Sequence, residues 1–204
     1  KGNLRVLYVG TEALQDWGGL IQGLQRFGEV LVFEGRPGFY GQARRDDFGR
    51  PIPPKINGKR LMHLVKDVSK DGPVDLVLGQ MWAGTMPPWA LQQVQQMGIP
   101  VANISMDDRH TFGSIAQRMR GIGTGALIPF IDLACTAAPE CCLWYAIENC
   151  PAIFFPEASD AMLFGGESRQ KKYDICFVGA KYGIRARLVG ALEASGLSVM
   201  AYGA

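Results

Sequence analysis

Two acidic residues and a histidine follow one apolar run of the chain. Asp107 and Asp108 follow residues 99–105 after a single methionine, Met106, and His110 stands two positions further on. Carboxylate and imidazole groups can take a proton from a hydroxyl group and make it a nucleophile. Because neighbouring residues of extended backbone point to opposite faces, only one of the two carboxylates is expected to face a ligand. The competing interpretations are that an aspartate caps the following helix and that His110 has no chemical role.

A glycine-rich turn near the end of the sequence could bind a phosphate group. The free N–H groups and partial positive charge at a helix N-terminus suit a diphosphate, and basic side chains can add charge-assisted hydrogen bonds. The turn matches neither the Gly-x-Gly-x-x-Gly fingerprint nor a P-loop. The alternative is therefore a plain turn with two solvated basic side chains. The residues concerned are Gly179, Lys181, Tyr182 and Arg185.

Short apolar segments alternate with helical periods up to about residue 155. Strands that read as continuous apolar runs are typical of a parallel sheet covered on both faces, so we expect a doubly wound, Rossmann-like α/β domain over residues 1–155. Ligands of such sheets bind beyond the carboxyl ends of the strands. The predicted strands are 4–10, 30–33, 74–78, 99–105, 131–135 and 152–155, and the predicted helices are 14–27, 61–68, 87–97, 112–120 and 139–149.

The remaining sequence has a different organisation. Residues 156–172 are polar and turn-rich, which predicts a linker. Residues 173–178, 184–195 and 197–202 predict a strand, a helix and a strand, the first βαβ unit of a second Rossmann-like domain. So small a unit cannot bury enough surface to fold alone. We therefore expect either that it docks on the first domain or, as we favour, that the sequence is a fragment of a longer chain.

Charge and cysteine content exclude several classes of function. The formal net charge is +2, which gives no overall field for nucleic acid. Residues 36–60 carry seven Arg or Lys against two Asp and predict a long basic loop. We favour a solvated loop, with an anionic acceptor or peripheral contact with a membrane as alternatives. Five cysteines without Cys-x-x-Cys spacing predict reduced thiols in a cytoplasmic protein, with no disulfide framework and no zinc site.

Three segments resemble parts of one enzyme family. Residues 174–185, which include Phe177-Val178-Gly179 and Tyr182-Gly183, resemble the start of the donor domain in group-one glycosyltransferases of the GT-B type. The most similar subgroup is the spore-maturation-protein-like one. Residues 155–164 resemble the interdomain segment of this family, and Asp107-Asp108 resembles its paired-aspartate stretch.

The resemblance implies a fold and a reaction. Residues 1–155 would bind the acceptor, 156–172 would link the domains, and 173–204 would begin the nucleotide-sugar domain, so that the sequence alone would lack part of the donor site. The reaction would move a sugar from a nucleotide-sugar donor to a hydroxyl acceptor of unknown identity, without a metal or other cofactor. The alternatives are a non-catalytic module that binds a nucleotide or a partner, and a GT-B epimerase or phosphorylase.

The resemblance also assigns roles to residues. Its paired aspartates make Asp107 and Asp108 candidates for catalysis. His110, which is close to them in sequence, could act as the base or bind the acceptor. The loop after the first strand, with Gly10, Thr11 and Glu12, would contact the acceptor, although Thr11 could simply begin a helix. Trp82 and Trp89 could stack on a sugar, with packing in the core as the default interpretation. The donor would bind at Gly179, Lys181, Tyr182 and Arg185.

Overall fold

A six-stranded parallel sheet forms the centre of the first of two compact units, residues 1–164. The computed structural model of the protein describes residues 4–11, 13–113, 122–161, 165, 170–180 and 182–203. The sheet order is β2-β1-β5-β6-β7-β8, and β3 and β4 form a separate antiparallel hairpin. The strands are β1 (Leu4–Val9), β2 (Gly28–Val32), β3 (Glu34–Arg36), β4 (Phe39–Tyr40), β5 (Leu76–Gly79), β6 (Val101–Ser105), β7 (Leu133–Thr136) and β8 (Ala152–Phe154).

Helices cover both faces of this sheet, as the apolar runs predict. Leu7 and Val9 of β1 belong to the apolar cluster of Leu61 and Leu91 on one face, whereas Tyr8 belongs to the cluster on the other. The predicted doubly wound, Rossmann-like α/β architecture is confirmed. The helices are α1 (Ala13–Trp17), α2 (Leu20–Gln25), α3 (Pro54–Val68), α4 (Pro88–Gln96), α5 (Asp108–Thr111) and α6 (Pro139–Ile147), with a 3₁₀ helix at Gly125–Phe130.

The order of the strands creates a crevice at one edge of the sheet. β2 and β5 lie on opposite sides of β1, so the direction of winding reverses between β1 and β5. At such a reversal the loops that leave the carboxyl ends of the two strands diverge and open a place for a ligand. The loops after β1, β5 and the neighbouring β6 are therefore the ones that can form a site.

The single helix predicted over residues 14–27 is wrong. Two short helices, α1 and α2, stand in its place, separated by Gly18 and Gly19. Two adjacent glycines disfavour a helix by about 2 kcal/mol in total, because each loses more backbone entropy than alanine. Trp17 and Phe27 are 40% and 71% exposed, so the expected common apolar face does not form.

The long loop predicted at residues 35–58 is more ordered than expected. It contains the β3–β4 hairpin, which turns through Gly38 at a φ of 70°, and α3 begins at Pro54, where a first helical turn accepts proline. Polar residues at the start of α3 hide its helical period. The helix predicted over 112–120 lies largely outside the described residues.

The second unit, residues 165–204, contains the predicted βαβ arrangement. β9 (Ile175–Val178) and β10 (Val199–Tyr202) pair in parallel and are connected through α7 (Arg185–Ala194). The boundary between the units falls within the segment 156–172, and the assignment of an acceptor and a donor domain stays a prediction. Among the helices that the structure describes, none is long and apolar enough to cross a membrane.

Candidate functional site

A buried carboxylate, Asp16, fixes the loop that follows β1. The side chain is 1% exposed. Its Oδ2 accepts hydrogen bonds from the Thr11 backbone N–H at 2.9 Å and from the Tyr40 hydroxyl at 2.9 Å, and its Oδ1 accepts one from Gln80 Nε2 at 2.7 Å. No cation pairs with it among the described residues, so these hydrogen bonds must offset the loss of its hydration. Asp16 thereby ties together segments after β1, β3 and β5.

Gly10 belongs to the same arrangement and has no room for a side chain. A β-carbon at this position would overlap the Tyr40 hydroxyl and the Asp16 carboxylate. The Gly10 carbonyl accepts hydrogen bonds from the backbone N–H of Gln42 at 3.0 Å and from its Nε2 at 3.2 Å. Thr11 lines a cavity. Glu12, the third residue predicted in this loop, lies outside the described residues.

Two tyrosines beside Asp16 stay protonated at neutral pH. Burial raises the pKa of the Tyr8 hydroxyl well above its usual range, and the negative charge of Asp16 raises it further. The same two causes, in the same order, raise the pKa of Tyr40. The Tyr40 hydroxyl can therefore donate to the carboxylate throughout the physiological range.

Asp107 and His110 line a cavity of about 530 Å³, which we call the Trp82 cavity. Both side chains are exposed, and the Asp107 carboxylate does not cap α5. Within the described residues neither side chain has a hydrogen-bond partner, so both are available to a ligand. The cavity lies beyond the carboxyl ends of β5 and β6. Further residues of its lining are Thr11, Arg44, Gln80, Trp82, Ser105 and Thr124.

Asp108 lies in the interior, away from this cavity. It is 0% exposed, and its Oδ1 accepts a hydrogen bond from the Tyr145 hydroxyl at 2.9 Å. Among the described residues nothing donates to its Oδ2. Burial, followed by the charge of Asp108, raises the pKa of Tyr145. The structure thus brings Asp107 and His110 together at the cavity and leaves Asp108 under α6. The two carboxylates diverge, but not through strand alternation, because Asp107 has a φ of −115° and a ψ of 34° and Asp108 already begins α5.

A second cavity, the Gly19 cavity, follows the same strand ends. Its volume is also about 530 Å³, and it shares Gln80, Ile104 and Met106 with the Trp82 cavity. Its rim carries an ion pair between Arg26 and Asp160 at 3.2 Å. The two cavities therefore flank one set of strand ends, and Gln80 is common to both.

A third cavity, the Glu157 cavity, has a volume of about 360 Å³ and adjoins the outer side of Asp107 and His110. Arg109 contributes to its lining and forms an ion pair with Glu140. Asp107 and His110 are thus accessible from two sides.

Arg44 stands at the rim of the Trp82 cavity. The centre of its guanidinium lies 4.4 Å from the centroid of the Trp82 ring, a stacked cation–π arrangement. Arg36 and Arg50 of the same basic segment form ion pairs with Asp47 and Asp46, the two aspartates of that segment. Peripheral contact with a membrane through residues 36–60 stays a prediction.

In the second unit, the turn between β9 and α7 carries the predicted donor residues. Gly179 has a φ of 145°. The Arg185 guanidinium stacks on the Tyr182 ring at 4.2 Å and donates from Nη1 to the Ala180 carbonyl at 3.2 Å. The exposed Tyr182 and the half-buried Arg185 therefore form one group, with Gly179 beside it. Lys181 lies outside the described residues.

The structure shows no group of three or more His, Cys, Asp or Glu that could hold a metal ion within the described chain. All five cysteines are free. The absence of a cofactor stays a prediction.

Asp16, Gln80 and Arg44 belong to the site, although the sequence did not single them out. Gln80 follows the predicted strand 74–78 by two positions, so its place at the ligand edge could have been inferred. Arg44 is one of seven basic residues in its segment and has no distinguishing neighbour in sequence. Asp16 lies inside a segment with a helical period, and nothing in that period indicates a buried carboxylate.

Comparison with known proteins shows a likeness in fold. No protein-family model matches the chain, and no curated protein matches it. The structure of UDP-N-acetylglucosamine 2-epimerase from Rickettsia bellii aligns with a TM-score of 0.55 and 12% identity, over 98% of this chain and 62% of that one. The UDP-GlcNAc 2-epimerase from Neisseria meningitidis bound to UDP-GlcNAc aligns with a TM-score of 0.52 and 12% identity, over 97% and 65%.

A third structure, a ugt transferase from Siraitia grosvenorii in complex with UDP, has a TM-score of 0.47 and 11% identity, over 97% of this chain and 62% of that one. That score is too low to support an inference. The likeness to the two epimerases shows the Rossmann-like fold of GT-B proteins and nothing finer. The chain spans less than two thirds of the length of each of these proteins. No comparison supports the spore-maturation-protein-like subgroup.

Proposed function

We propose that the chain is part of a sugar-nucleotide-dependent enzyme that transfers a sugar to a hydroxyl acceptor. The observation that carries this proposal is the placing of Asp107 and His110 on the Trp82 cavity at the carboxyl edge of the sheet. Their side chains face a space of about 530 Å³, large enough for a sugar-sized ligand. The fold shared with two sugar-nucleotide epimerases is consistent with the choice of donor.

The residues of this cavity can perform one step of the transfer. A hydroxyl group of the acceptor would lie beside Asp107 and His110, and one of these two groups would take its proton. The acceptor oxygen then forms a bond to the anomeric carbon of the sugar as the bond from that carbon to the diphosphate breaks. The nucleoside diphosphate leaves with the electron pair. Both the carboxylate and the imidazole remain candidates for the base.

The turn between β9 and α7 is the candidate for binding the leaving diphosphate. A helix N-terminus and an arginine both favour a negatively charged group. The Arg185 guanidinium currently donates to the Ala180 carbonyl, so it would exchange this hydrogen bond for one to a phosphate oxygen. Gly179 and Tyr182 lie beside it in the same turn.

Epimerisation of a sugar nucleotide is the second candidate. Two solved structures that share the fold, with TM-scores of 0.55 and 0.52, are UDP-GlcNAc 2-epimerases. An epimerase would use a base at the same cavity but would leave the sugar attached to its nucleotide. A non-catalytic module would bind a nucleotide and convert nothing.

One experiment separates these functions. The longest chain that the gene encodes is incubated with UDP-GlcNAc, and in parallel with GDP-sugars and other sugar nucleotides, in the presence and absence of a panel of hydroxyl acceptors. Both the released nucleoside diphosphate and the configuration of the remaining sugar nucleotide are measured. Transfer predicts UDP release that depends on an acceptor, and epimerisation predicts a new sugar nucleotide without UDP release. If UDP-GlcNAc and UDP bind without conversion, the binding module is the better account. If GDP-sugars or other donors alone bind and react, transfer stands with another donor.

Two variants test the proposed base. Asp107→Asn and His110→Gln keep the shape of each side chain, and the one that removes the base should lower the turnover rate by about 10²–10⁴-fold. The matched controls are Asp71→Asn and His63→Gln, because both residues are exposed and line none of the three cavities described. Equal loss in the controls and in the cavity variants would contradict a role of this cavity in the reaction.

A further inference from the structure

Arg44 differs from the other arginines that line cavities of the first unit. Arg26 in the Gly19 cavity pairs with Asp160, and Arg109 in the Glu157 cavity pairs with Glu140. Arg44 lines the Trp82 cavity and forms no ion pair with any described residue. A guanidinium has five N–H donors in one plane. The guanidinium carbon of Arg44 lies over the Trp82 ring, and among the described residues none accepts a hydrogen bond from its side chain, so its N–H groups are free for a ligand.

Buried amide groups fix the backbone beside Arg44. Asn57 is 0% exposed, and its Oδ1 accepts from the Ala43 N–H at 3.1 Å while its Nδ2 donates to the Ala43 carbonyl at 3.0 Å. The backbone carbonyl of Arg44 itself accepts a hydrogen bond from the Ile52 N–H at 2.8 Å. The backbone of residues 43 and 44 is therefore fixed by hydrogen bonds to Asn57 and Ile52.

The partner of Arg44 in the stack is held as firmly. The Trp82 carbonyl accepts hydrogen bonds from the backbone N–H groups of Thr85 and Met86, both at 2.9 Å. Thr85 is in turn held by Gln42, whose Oε1 accepts from the Thr85 hydroxyl at 2.7 Å. A guanidinium on a fixed aromatic face loses little further freedom when it binds a planar anion.

We infer that Arg44 binds an anionic group of the acceptor, either a carboxylate or a phosphate, in the Trp82 cavity. The term acceptor rests on the proposed function, whereas the anion site itself rests on the structure alone. Arg44 would hold the anion at one part of the rim, and Asp107 and His110 would meet a hydroxyl group of the same molecule at another. Arg44 is thus a specificity-determining residue, and the base acts elsewhere in the cavity.

The test uses three compounds that share one ring. Glucose is neutral, glucuronate carries a carboxylate and glucose 6-phosphate carries a phosphate at the same carbon. Their affinities for the protein are measured by calorimetry, with and without saturating UDP. We expect at least one of the anions to bind about 10- to 100-fold more tightly than glucose, as a charge-assisted pair contributes. Which anion binds more tightly identifies the group.

Matched variants assign the effect to Arg44. Arg44→Gln should remove the preference for the anion, and Arg44→Lys should restore only part of it, because an ammonium lacks the planar fork. The control is Arg45→Gln, which makes the same charge change one residue away. Arg45 is exposed, donates to the Gly49 carbonyl and does not line the Trp82 cavity. Unchanged thermal unfolding of all three variants shows that the fold is intact.

Each other result overturns the inference. Equal affinity for the three compounds, or equal loss in Arg44→Gln and Arg45→Gln, excludes an anion site at Arg44. Weaker binding of UDP to Arg44→Gln, with no change for the three sugars, assigns Arg44 to the donor instead. The proposed function fails separately, if the anion binds as expected but no sugar nucleotide is bound or converted.

Discussion

Two buried carboxylates stand in short helices that follow strands of the same sheet, and their surroundings differ. Asp16 after β1 accepts three hydrogen bonds from three segments of the chain. Asp108 after β6 accepts one from Tyr145, and its Oδ2 has no donor within the described residues. The neighbour of Asp108, Asp107, faces the Trp82 cavity. The comparison teaches that two equally buried carboxylates can differ in how completely their oxygens are hydrogen-bonded, and that the carboxylate at the cavity is the exposed one. After β1, the polar groups around Asp16 bond to one another and hold the loop. After β6, the side chains of Asp107 and His110 remain available to a ligand.

Removal of the Asp16 carboxylate tests the structural half of this comparison. Asp16→Ala leaves the Thr11 N–H, the Tyr40 hydroxyl and the Gln80 amide without their acceptor, and should lower the free energy of unfolding by about 3–5 kcal/mol. Urea denaturation followed by circular dichroism measures it. The control is Asp47→Ala, which breaks an exposed ion pair and should cost about 1 kcal/mol or less. Similar losses for the two variants would contradict the special place of Asp16.

Gly10→Ala tests how closely Tyr40 and Asp16 pack against the backbone of the β1 loop. The added methyl group would overlap Tyr40 and Asp16, which are held in place by each other, so a destabilisation of about 1–3 kcal/mol is expected. Gly23→Ala is the control, because nothing lies within 4 Å of a β-carbon there and its helix gains from alanine. If Gly10→Ala is no less stable than Gly23→Ala, the loop can move and does not act as a fixed support.

A pair of Asp→Asn variants compares the two carboxylates directly. At Asp16 either oxygen that becomes an NH₂ group would face a donor, whereas at Asp108 the new NH₂ can take the place of the oxygen without a donor. Asp16→Asn should therefore lose about 1–2 kcal/mol more than Asp108→Asn. Chemical denaturation of the two variants in parallel gives the difference. A larger loss at Asp108 would reverse the comparison.

Alkaline pH adds a second measure of the two sides. Burial and then a carboxylate raise the pKa of Tyr8 and Tyr40 beside Asp16 and of Tyr145 beside Asp108. Unfolded tyrosines ionise near pH 10, so above this value the unfolded chain binds fewer protons than the folded one and stability falls as pH rises. Each protected tyrosine contributes about 1.4 kcal/mol per pH unit.

Tyr40→Phe and Tyr145→Phe should each make this loss less steep by one such contribution. Stability curves between pH 8 and 11, at intervals of roughly half a unit, provide the measurement. Burial also raises the pKa of the Cys135, Cys141 and Cys150 thiols. Their ionisation in the unfolded chain lowers stability as pH rises, beginning at a lower pH than that of the tyrosines. This contribution is common to the wild type and both variants. A wild-type protein whose stability is level across this range would show that the tyrosines ionise in the folded state.

The smallest effect on stability is expected at the ligand side of the cavity. Asp107→Asn and His110→Gln alter exposed side chains without a described partner, so each should change the free energy of unfolding by about 0.5 kcal/mol or less. The same denaturation experiment measures it beside the loss of turnover. A loss of stability as large as that of Asp16→Ala would show that Asp107 and His110 stabilise the fold.

The sequence predicted the sheet and the edge of the site well, for a physical reason. Buried parallel strands read as apolar runs, and the residues that follow them, such as Asp107 and Thr11, must lie at the carboxyl edge. That only one of Asp107 and Asp108 faces a cavity agrees with the expectation, but the extended backbone on which the expectation rested is absent, because Asp108 begins α5. These inferences need only local periodicity.

The remaining parts of the site depend on contacts between distant segments. Asp16 meets Tyr40 and Gln80 across 24 and 64 residues of chain, and Arg44 meets Trp82 across a comparable distance. No local pattern records such pairs. The break at Gly18 and Gly19 separates α1 from α2 and is visible in the sequence as two glycines, but the apolar period around it predicts one helix.

The crowding at Gly10 has a consequence for anyone who wishes to redesign this protein. Substitutions at Gly10 would destabilise the protein, because the space beside that backbone is already occupied by Tyr40 and Asp16. Arg44, Asp107 and His110 are exposed and line the Trp82 cavity, so a new side chain at these positions can extend into solvent. Diversity for altered specificity should therefore be introduced at the rim, with the glycine left unchanged.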